Sequence, residues 1–280
     1  MKSWHWHLAH GRSLDLGPAS VIMGILNVTP DSFADGGQYD RPEKAIYHAR
    51  RMMGEGAAII DIGGESTRPG GASISAAEEQ ARILPVIDAL ANDNVILSVD
   101  TYRAETARLA VERGVHIIND VWGAQRDPEI AAVAAETGGG LILMHTGRER
   151  QKDPDVIADQ FSFLRRSLEI ARHAGVANDA IVLDPGFGFA KETPEANLEL
   201  MARFEELHAL GYPLAVGTSR KRFVGRVTGK EVHAERAIGT AATSVILRMK
   251  GAAIFRVHDV AANRDALKMA DAVMASVGSR

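Results

Sequence analysis

The sequence contains no cysteine and no long hydrophobic segment, and each absence excludes a class of protein. Without cysteine the chain cannot form disulfide bonds, thiolate metal sites or a thiol nucleophile, and such a composition fits a reducing compartment. No apolar run approaches the roughly 18 residues of a membrane-spanning helix, and the first residues lack the continuous apolar segment of a signal peptide. We therefore expect a cytoplasmic protein without a membrane partner.

An excess of one charge is also missing, since 32 Lys and Arg accompany 36 Asp and Glu and the formal net charge is −4. Both signs are scattered along the chain, so the composition does not predict a nucleic-acid partner. A Walker loop, a Gly-x-Ser-x-Gly nucleophile elbow and a His-Glu-x-x-His zinc helix do not occur in the sequence. We therefore do not expect phosphate binding by a Walker loop, covalent serine chemistry or bound zinc.

Short apolar runs alternate with amphipathic stretches along the whole chain, which predicts strands that are each followed by a helix. The predicted strands begin near Val21, Ala57, Val95, Val115, Leu141, Ala180, Leu214 and Ala253. This repeated order predicts a parallel sheet, and eight units are the number that closes an α/β (β/α)8 TIM barrel. A doubly wound sheet is the competing architecture, but the first strand lacks its glycine-rich fingerprint. We expect one domain over residues 1–280.

Residues 1–18 follow a different pattern, in which apolar and polar side chains alternate on both sides of Gly11. This period of two predicts a β-hairpin ahead of the barrel, which we expect to plug its bottom. His5 and His7 would lie on one face of its first strand. A metal pair is one interpretation of these histidines, but exposed strand residues are favoured because no acidic residue adjoins them in the sequence.

All eight predicted strands end in polar or charged residues. These are Asn27, Asp61, Asp100, Asn119, His145, Asp184, the segment 217–221, and His258 with Asp259. In a closed parallel barrel the carboxyl ends of the strands meet at one face, where barrel enzymes build their active sites. Some of these groups will instead cap the following helix. We therefore expect a polar mouth at this end of the barrel.

The chemical types of these side chains indicate what the mouth binds. Asp100, Asn119 and Asp184 suit a flat heterocycle with several N–H groups, since a carboxylate accepts two parallel hydrogen bonds from an amidine-like edge. Cations and hydroxyls suited to a phosphate or diphosphate lie toward the rim: Ser66, Thr67, Arg68, Ser219, Lys221, Arg256 and His258. The loop after Asp61 is rich in glycine, which lets a backbone approach a ligand closely.

Seven segments, in order, resemble the dihydropteroate synthase family. They are 24–33 (GILNVTPDSF), 61–70 (DIGGESTRPG), 98–101 (SVDT), 118–120 (IND), 184–189 (DPGFGF), 219–221 (SRK) and 256–260 (RVHDV). The resemblance implies a (β/α)8 barrel that usually forms a homodimer. It also implies a transferase that joins 6-hydroxymethyl-7,8-dihydropterin diphosphate to 4-aminobenzoate with help from Mg²⁺, giving 7,8-dihydropteroate and diphosphate.

The resemblance also assigns roles to individual residues. The pterin would be held by Asp100, Asn119, Met144, Asp184, Lys221 and Arg256. The diphosphate would be bound by Asn27, Arg256 and His258, with Asn27 also contacting Mg²⁺. The 4-aminobenzoate pocket would be shaped by Phe33, Thr67, Arg68, Pro69, Phe189 and Ser219, partly on two mobile loops after the first and second barrel strands. Catalysis would depend most on Asn27, Asp100, Asp184, Lys221, Arg256 and His258.

The sequence departs from the family pattern at three places. His145 is not followed by the Met that is common there, so we assign His145 no role. Ala190 and Arg222 replace a Gly and a Ser that are common in the family, which concerns the shape of the pocket rather than the reaction class.

Three acidic residues keep two interpretations. Asp61 either takes part in the site or anchors its loop through backbone N–H groups. Glu65 and Asp120 are open between capping and function.

Two other functions stay open from the sequence. A pterin-binding methyltransferase domain shares the barrel and the pterin acids, but it would not need the segment 66–69 or the loop 219–221. A non-catalytic pterin-binding module would keep its role without Asn27, whereas the enzyme would lose diphosphate release.

Overall fold

Strands and helices alternate in the computed structural model of the protein, which describes residues 2–29, 41–66, 73–191 and 193–278. The strands are β1 (Trp4–His7), β2 (Ser13–Leu16), β3 (Val21–Asn27), β4 (Ile59–Gly63), β5 (Ile96–Asp100), β6 (Ile117–Asp120), β7 (Gly140–Met144), β8 (Ile181–Asp184), β9 (Ala215–Val216) and β10 (Ile254–Val257). The helices are α1 (Arg41–Glu55), α2 (Ala76–Leu90), α3 (Ala104–Glu112), α4 (Glu129–Thr137), α5 (Val156–His173), α6 (Pro194–Ala202), α7 (Arg222–Thr228), α8 (Ala237–Met249) and α9 (Val260–Gly278). The predicted strand–helix order is confirmed.

Strands β3 to β10 form one parallel sheet, in the order β8-β7-β6-β5-β4-β3-β10-β9. Its two edges meet, since Leu183 of β8 forms a parallel bridge with Leu214, the residue before β9. The Leu183 N–H also donates to the Pro213 carbonyl oxygen at 3.0 Å. The sheet therefore closes on itself, and the predicted (β/α)8 barrel is confirmed. The single domain over residues 1–280 stays a prediction.

Alternate residues of each barrel strand belong to two different buried clusters. One cluster fills the lower barrel interior and contains Met23, Ile59, Ile96, Ile117, Ile142, Val182, Ala215 and Ile254. Their neighbours pack against the helices and include Ile22, Ile60, Leu97, Ile118, Leu141, Leu183, Val216 and Phe255. Both strand faces are covered, which explains the continuous apolar runs in the sequence. Because side chains alternate along a strand, the residue two positions after each member of the interior cluster must also face the interior.

The N-terminal hairpin closes the bottom of the barrel, as predicted. Strands β1 and β2 pair antiparallel, with Trp4 opposite Leu16 and Trp6 opposite Leu14. Trp6 is 1% exposed and belongs to the interior cluster. Its indole N–H donates to the Ala180 carbonyl oxygen at 2.8 Å, which ties the hairpin to the residue before β8.

The two histidines of β1 are exposed, as favoured, but the expectation that they lack acidic neighbours was wrong. His5 Nδ1 lies 2.7 Å from Asp15 Oδ1, and His7 Nδ1 lies 3.0 Å from Asp179 Oδ2. Asp15 is the residue opposite His5 in the hairpin register. Within the described residues, no group of three or more His, Cys, Asp or Glu side chains could hold a metal ion.

Replacing Trp6 by phenylalanine should lower the free energy of unfolding by about 1–3 kcal/mol, because it leaves the buried Ala180 carbonyl oxygen without this donor. Denaturant unfolding measures the change. The matched control is Trp4→Phe, whose indole is only partly buried and which should change the stability by less than about 1 kcal/mol. Equal effects of the two variants would contradict the role given to the Trp6 hydrogen bond.

Candidate active site

Polar side chains continue the interior-facing alternation toward the carboxyl ends of the strands. The interior-facing residues near the strand ends are Asn27, Asp61, Ser98, Asp100, Asn119, Asp184, Arg256 and His258, together with the apolar Met144. The strand register places Asn27 beside Gly63, Gly63 beside Asp100, and Asp100 beside Asn119. On the other side of the barrel, Met144 is the register partner of Asp184. The structure therefore brings these predicted residues to one end of the barrel.

The Arg256 guanidinium crosses from β10 to two buried carboxylates. Its Nε donates to Asp61 Oδ2 at 2.6 Å, and one of its terminal nitrogens donates to Asp100 Oδ2 at 2.6 Å. Asp61 also accepts from Ser98 Oγ at 2.6 Å and from Asn119 Nδ2 at 3.0 Å. In the described chain the partners of Asp61 are side chains and not backbone N–H groups of its loop, which favours a role in the site. Asp61 thus orients Arg256 and Asn119.

One carboxylate oxygen of Asp100 can accept a hydrogen bond from a ligand. Its Oδ1 is buried and has no hydrogen-bond partner in the described part of the chain. Burial raises the pKa of Asp100 to about 7, although the charge of Arg256 opposes this shift. An unpartnered buried acceptor is costly to the fold. A ligand N–H at this point would supply the missing partner.

Asp184 and Lys221 form the opposite part of the mouth. Asp184 Oδ1 accepts the Gly186 N–H at 2.7 Å, and burial raises the Asp184 pKa against the charge of Lys221. Lys221 Nζ donates to the Phe187 carbonyl oxygen and lies 4.5 Å from the centre of the Phe189 ring. Burial lowers the pKa of Lys221 to about 7, while the charge of Asp184 raises it. The two groups thus offer an acceptor and a donor with balanced charge.

The rim contains two side-chain pairs after β9 and β10. Ser219 Oγ lies 2.9 Å from His258 Nδ1 and also accepts the His258 N–H at 3.0 Å. Arg220 donates to both carboxylate oxygens of Asp259, at 2.9 and 2.5 Å. Arg222 is exposed. Ser219 and His258 are therefore brought together at the rim.

An aromatic cluster lines the mouth on the side of β5 to β8, and most of it was missed from the sequence. It consists of Tyr102, Val121, Trp122, Met144 and Phe189. The Arg148 guanidinium lies 4.7 Å from the Phe189 ring centre, and that of Arg126 lies 4.6 Å from the Trp122 ring centre. Such distances allow cation–π attraction. Tyr102 follows the predicted strand-end residue Asp100 by two positions and Trp122 follows Asn119 by three, which was the available signal.

Asp120 and Glu65, the other two acidic residues with two interpretations, have partners in the described chain. Asp120 accepts the N–H groups of Trp122 and Ala124 at 2.8 and 2.6 Å, which is capping. Glu65 forms an ion pair with Arg103 at 2.7 Å, and Arg103 also donates to the Ile74 carbonyl oxygen at 2.6 Å.

Four predicted residues of the 4-aminobenzoate pocket lie outside the described residues, namely Phe33, Thr67, Arg68 and Pro69. Ala190, where the family commonly has glycine, adopts a left-handed backbone with φ of 53°. Glycine adopts a left-handed backbone without steric cost, which explains why glycine is common at this position in the family.

Comparisons with known proteins identify relatives of the whole chain. A family model described as pterin binding enzyme matches residues 23–258. The dihydropteroate synthase of Bacillus subtilis is 50% identical over 256 residues, 91% of this chain and 89% of the relative. That of Clostridium beijerinckii is 44% identical over 265 residues, 94% of this chain and 97% of the relative.

Solved structures give the same likeness. A Clostridium difficile dihydropteroate synthase, solved in the presence of pteroic acid, has a TM-score of 0.89 at 43% identity and covers 93% of this chain and 98% of its own. The Xanthomonas albilineans enzyme with 4-aminobenzoic acid has a TM-score of 0.90 at 40% identity and covers 96% and 98%. The likeness therefore extends over whole chains rather than a shared fragment.

Proposed function

This chain belongs to the dihydropteroate synthase family, and we propose which of its residues carry out the reaction of that family. The enzyme is a transferase that condenses 6-hydroxymethyl-7,8-dihydropterin diphosphate with 4-aminobenzoate to 7,8-dihydropteroate and diphosphate, in folate biosynthesis. The observation that carries the residue assignment is the buried Asp100 Oδ1 at the mouth of the barrel, which has no hydrogen-bond partner among the described residues.

The pterin binds at the base of the mouth. Asp100 and Asp184 accept its N–H groups, and Lys221 donates to its ring acceptors. Asn119 donates its side-chain N–H to Asp61, which leaves the amide oxygen as the acceptor for the ligand. Met144 and Arg256 pack against the two faces of the ring. The burial of the carboxylates supports this assignment, because hydrogen bonds strengthen where water is excluded.

The reaction breaks the bond between the pterin CH₂ and the diphosphate oxygen, which leaves with the electron pair. The amine nitrogen of 4-aminobenzoate then forms the new C–N bond and loses one proton. Asp100 and Asp184 stabilise the positive charge that develops on the pterin, while Asn27, Arg256 and His258 stabilise the departing diphosphate. Alignment of the two bound substrates supplies further acceleration.

Mg²⁺ is the proposed cofactor. This ion prefers oxygen ligands and is usually held by one or two protein groups together with substrate phosphates and water. Asn27 faces the interior at the end of β3 and provides an amide oxygen, so the donor chemistry fits an ion that is shared with the diphosphate. When bound there, Mg²⁺ would neutralise the charge of the leaving group.

The 4-aminobenzoate binds at the rim, beside Phe189 and Ser219. Phe189 lies against the cations of Lys221 and Arg148, and Ser219 lies against His258. This positive surrounding supports binding of a carboxylate. Phe33, Thr67, Arg68 and Pro69 stay predictions for the same pocket.

The reaction itself is tested by incubation with the pterin diphosphate, Mg²⁺ and radiolabelled 4-aminobenzoate. The label should move into 7,8-dihydropteroate. Folded protein that leaves all label in 4-aminobenzoate would contradict the enzyme and would favour the non-catalytic pterin-binding module. A pterin-binding methyltransferase domain would also leave the label untransferred.

Pterin affinity should fall as the pH drops through about 7, because burial raises the pKa of Asp100 to about 7 and only the carboxylate accepts two N–H bonds. In Asp100→Asn, the affinity should fall about 10- to 150-fold, the worth of a charge-assisted hydrogen bond, and the pH dependence due to Asp100 should disappear. Calorimetric titration from pH 5.5 to 8.5 measures both effects. An unchanged pH dependence in the variant would contradict the role of Asp100.

The same raised pKa makes the folding stability depend on pH in the direction opposite to that of the pterin affinity. The folded state binds the Asp100 proton more tightly than the unfolded chain, whose reference pKa is 3.8. The contribution of the Asp100 proton to folding stability is therefore complete below the unfolded-state pKa of 3.8 and is lost as the pH rises through about 7.

We also propose a homodimer through α8 and α9. Ile238, Ile246 and Met249 of α8 are exposed at intervals of 8 and 3 residues, which places them on one helix face. Met269 and Val273 of α9 are exposed four residues apart. Exposed apolar patches of this kind mark protein interfaces.

Replacing Ile238 by glutamate should raise the dimer dissociation constant more than about tenfold, because it buries a charge without a partner. Ile238 is 85% exposed and lies in the first turn of α8, where an acidic residue suits the helix dipole. Light scattering after gel filtration measures the mass. The matched control is Tyr47→Glu on α1, which should leave the mass unchanged. A wild-type monomer at micromolar concentration would contradict the dimer.

The described helices include none with the length and hydrophobicity that a membrane crossing requires. We propose a cytoplasmic location, which the lack of cysteine favours.

A further inference from the structure

Lys191 and His145 are buried beside the turn that follows Asp184, and no step above uses them. Lys191 Nζ lies 3.0 Å from His145 Nδ1 and donates to the Gly186 carbonyl oxygen at 2.9 Å. His145 Nε2 lies 2.9 Å from Asp159 Oδ2. Burial and the charge of Lys191 lower the pKa of His145 to about 3, which keeps its ring neutral. The neutral ring therefore accepts from Lys191 at Nδ1 and donates from Nε2 to Asp159. A terminal nitrogen of Arg150 lies 2.9 Å from the same Nε2 and donates to Asp159 Oδ2 at 2.7 Å.

These contacts hold the turn in place through both backbone polar groups of Gly186. The Gly186 N–H donates to Asp184, and the Gly186 carbonyl oxygen accepts from Lys191. Gly186 has a φ of 62°, and a side chain there would collide with the His145 carbonyl oxygen, so the turn lies directly against His145. The same turn presents the carbonyl oxygen to which Lys221 donates. Lys191 thus holds the segment that links Asp184 to Lys221.

A structural role alone does not account for an ammonium group at this position. Lys191 is 8% exposed, and both of its hydrogen-bond partners among the described residues are uncharged. A hydrocarbon side chain of similar volume would avoid the cost of burying the charge. Burial lowers the pKa of Lys191 to about 7, the charges of Lys221 and Arg150 act in the same direction, and those of Asp184 and Asp159 oppose them.

Lys191 is also one of the cations whose charge acts on Asp184. Burial raises the pKa of Asp184, and the charges of Lys221, Arg256 and Lys191 each lower it. The first two cations lie inside the mouth, whereas Lys191 lies behind the turn. Its charge therefore acts on Asp184 without contact with the substrate.

Resting on the function proposed above, we propose that Lys191, seated on the neutral His145 ring, is a positioning residue for the pterin. Its ammonium group holds the turn after β8 in place and keeps the Asp184 carboxylate ionised.

The test is Lys191→Met, which keeps an unbranched side chain one atom shorter than lysine and removes the charge. The dissociation constant for the pterin diphosphate should rise about tenfold. The acid limb of the kcat/KM profile contains a part due to Asp184 besides that of Asp100, and this part should move upward in pH because Asp184 loses a nearby cation. The matched control is Lys152→Met, whose exposed Nζ donates to the Ala190 carbonyl oxygen of the same loop at 2.8 Å. That control should keep the wild-type profile.

Two changes at His145 test the same role if Lys191→Met does not fold. His145→Gln retains an acceptor for Lys191 and a donor for Asp159, and it should keep the acid limb near its wild-type position. His145→Leu removes both, and it should shift the limb upward as Lys191→Met does.

Upward shifts in Lys191→Met and His145→Leu, with normal limbs in Lys152→Met and His145→Gln, would support the proposal. Equal acid limbs in all folded variants would overturn it, even where turnover falls, because a merely structural defect lowers turnover without moving the limb. Failure of the wild-type protein to form dihydropteroate would instead contradict the proposed function.

Discussion

Replacing Arg256 by methionine should lower the free energy of unfolding by about 3–5 kcal/mol and abolish measurable turnover. The guanidinium is hydrogen-bonded to two buried carboxylates, those of Asp61 and Asp100. Removal of one partner from a buried ionic group leaves charge uncompensated in a poorly solvated place, and this costs more than the intact pair contributes. Denaturant unfolding and the labelled-substrate assay measure the two losses.

The loss of stability in Arg256→Met should grow with pH. The charge of Arg256 lowers the pKa of Asp100, so its removal raises that pKa further. Protonated Asp100 needs no counter-charge, and the variant should therefore be less impaired at pH 6 than at pH 8. The double variant with Asp61→Asn should recover part of the stability, since the two residues are coupled. Wild-type stability of Arg256→Met at pH 8 would contradict the central position of this guanidinium.

Replacing Asn27 by alanine should lower kcat by a factor of about 10²–10³, the usual effect of losing one group that stabilises developing charge. Asn27 ends β3 at an interior-facing position, next to Gly63 in the register. It is proposed to contact both the diphosphate and Mg²⁺, so the variant should also need a higher Mg²⁺ concentration for half-maximal rate. Steady-state kinetics with varied Mg²⁺ measures both changes.

The matched control for Asn27→Ala is Asn178→Ala, at the opposite end of the barrel. Asn178 is exposed and accepts a hydrogen bond from the Tyr212 hydroxyl at 3.0 Å, so kcat should stay at the wild-type value. A rate for Asn27→Ala within threefold of wild type would remove Asn27 from the mechanism. It would also reopen the non-catalytic module.

The barrel could be predicted from the sequence because each strand–helix unit carries its own local signal. Apolar runs mark strands that are covered on both faces, and amphipathic periods mark the helices around them. The positions of Asp100, Asn119 and Asp184 then follow from the parallel direction of the strands. The stretch 194–210 forms α6 followed by a 3-10 segment, Phe204–Leu210.

Contacts across the barrel could not be predicted in the same way. Arg256 lies 195 residues from Asp61 and 156 from Asp100 in sequence, and only closure of the sheet brings them together. The pair of Lys191 with His145 depends likewise on how two loops pack. By contrast, Asp15 opposite His5 was available from the hairpin alternation alone.

The carboxylates also show why residue type does not reveal a role. Asp61, Asp100 and Asp120 all end or follow apolar runs, yet they do different things. Asp120 falls on the outward-facing alternation and caps a backbone turn. Asp61 is fully buried and accepts hydrogen bonds from other side chains, whereas Asp100 has one oxygen without a partner in the described part of the chain.

A crystal structure with the pterin diphosphate bound tests most directly whether one mouth holds both parts of this substrate. The pterin should lie within hydrogen-bond distance of Asp100 Oδ1 and of Asp184, with the diphosphate beside Asn27 and His258. A pterin bound away from Asp100, with that oxygen still unpartnered, would contradict the proposed site.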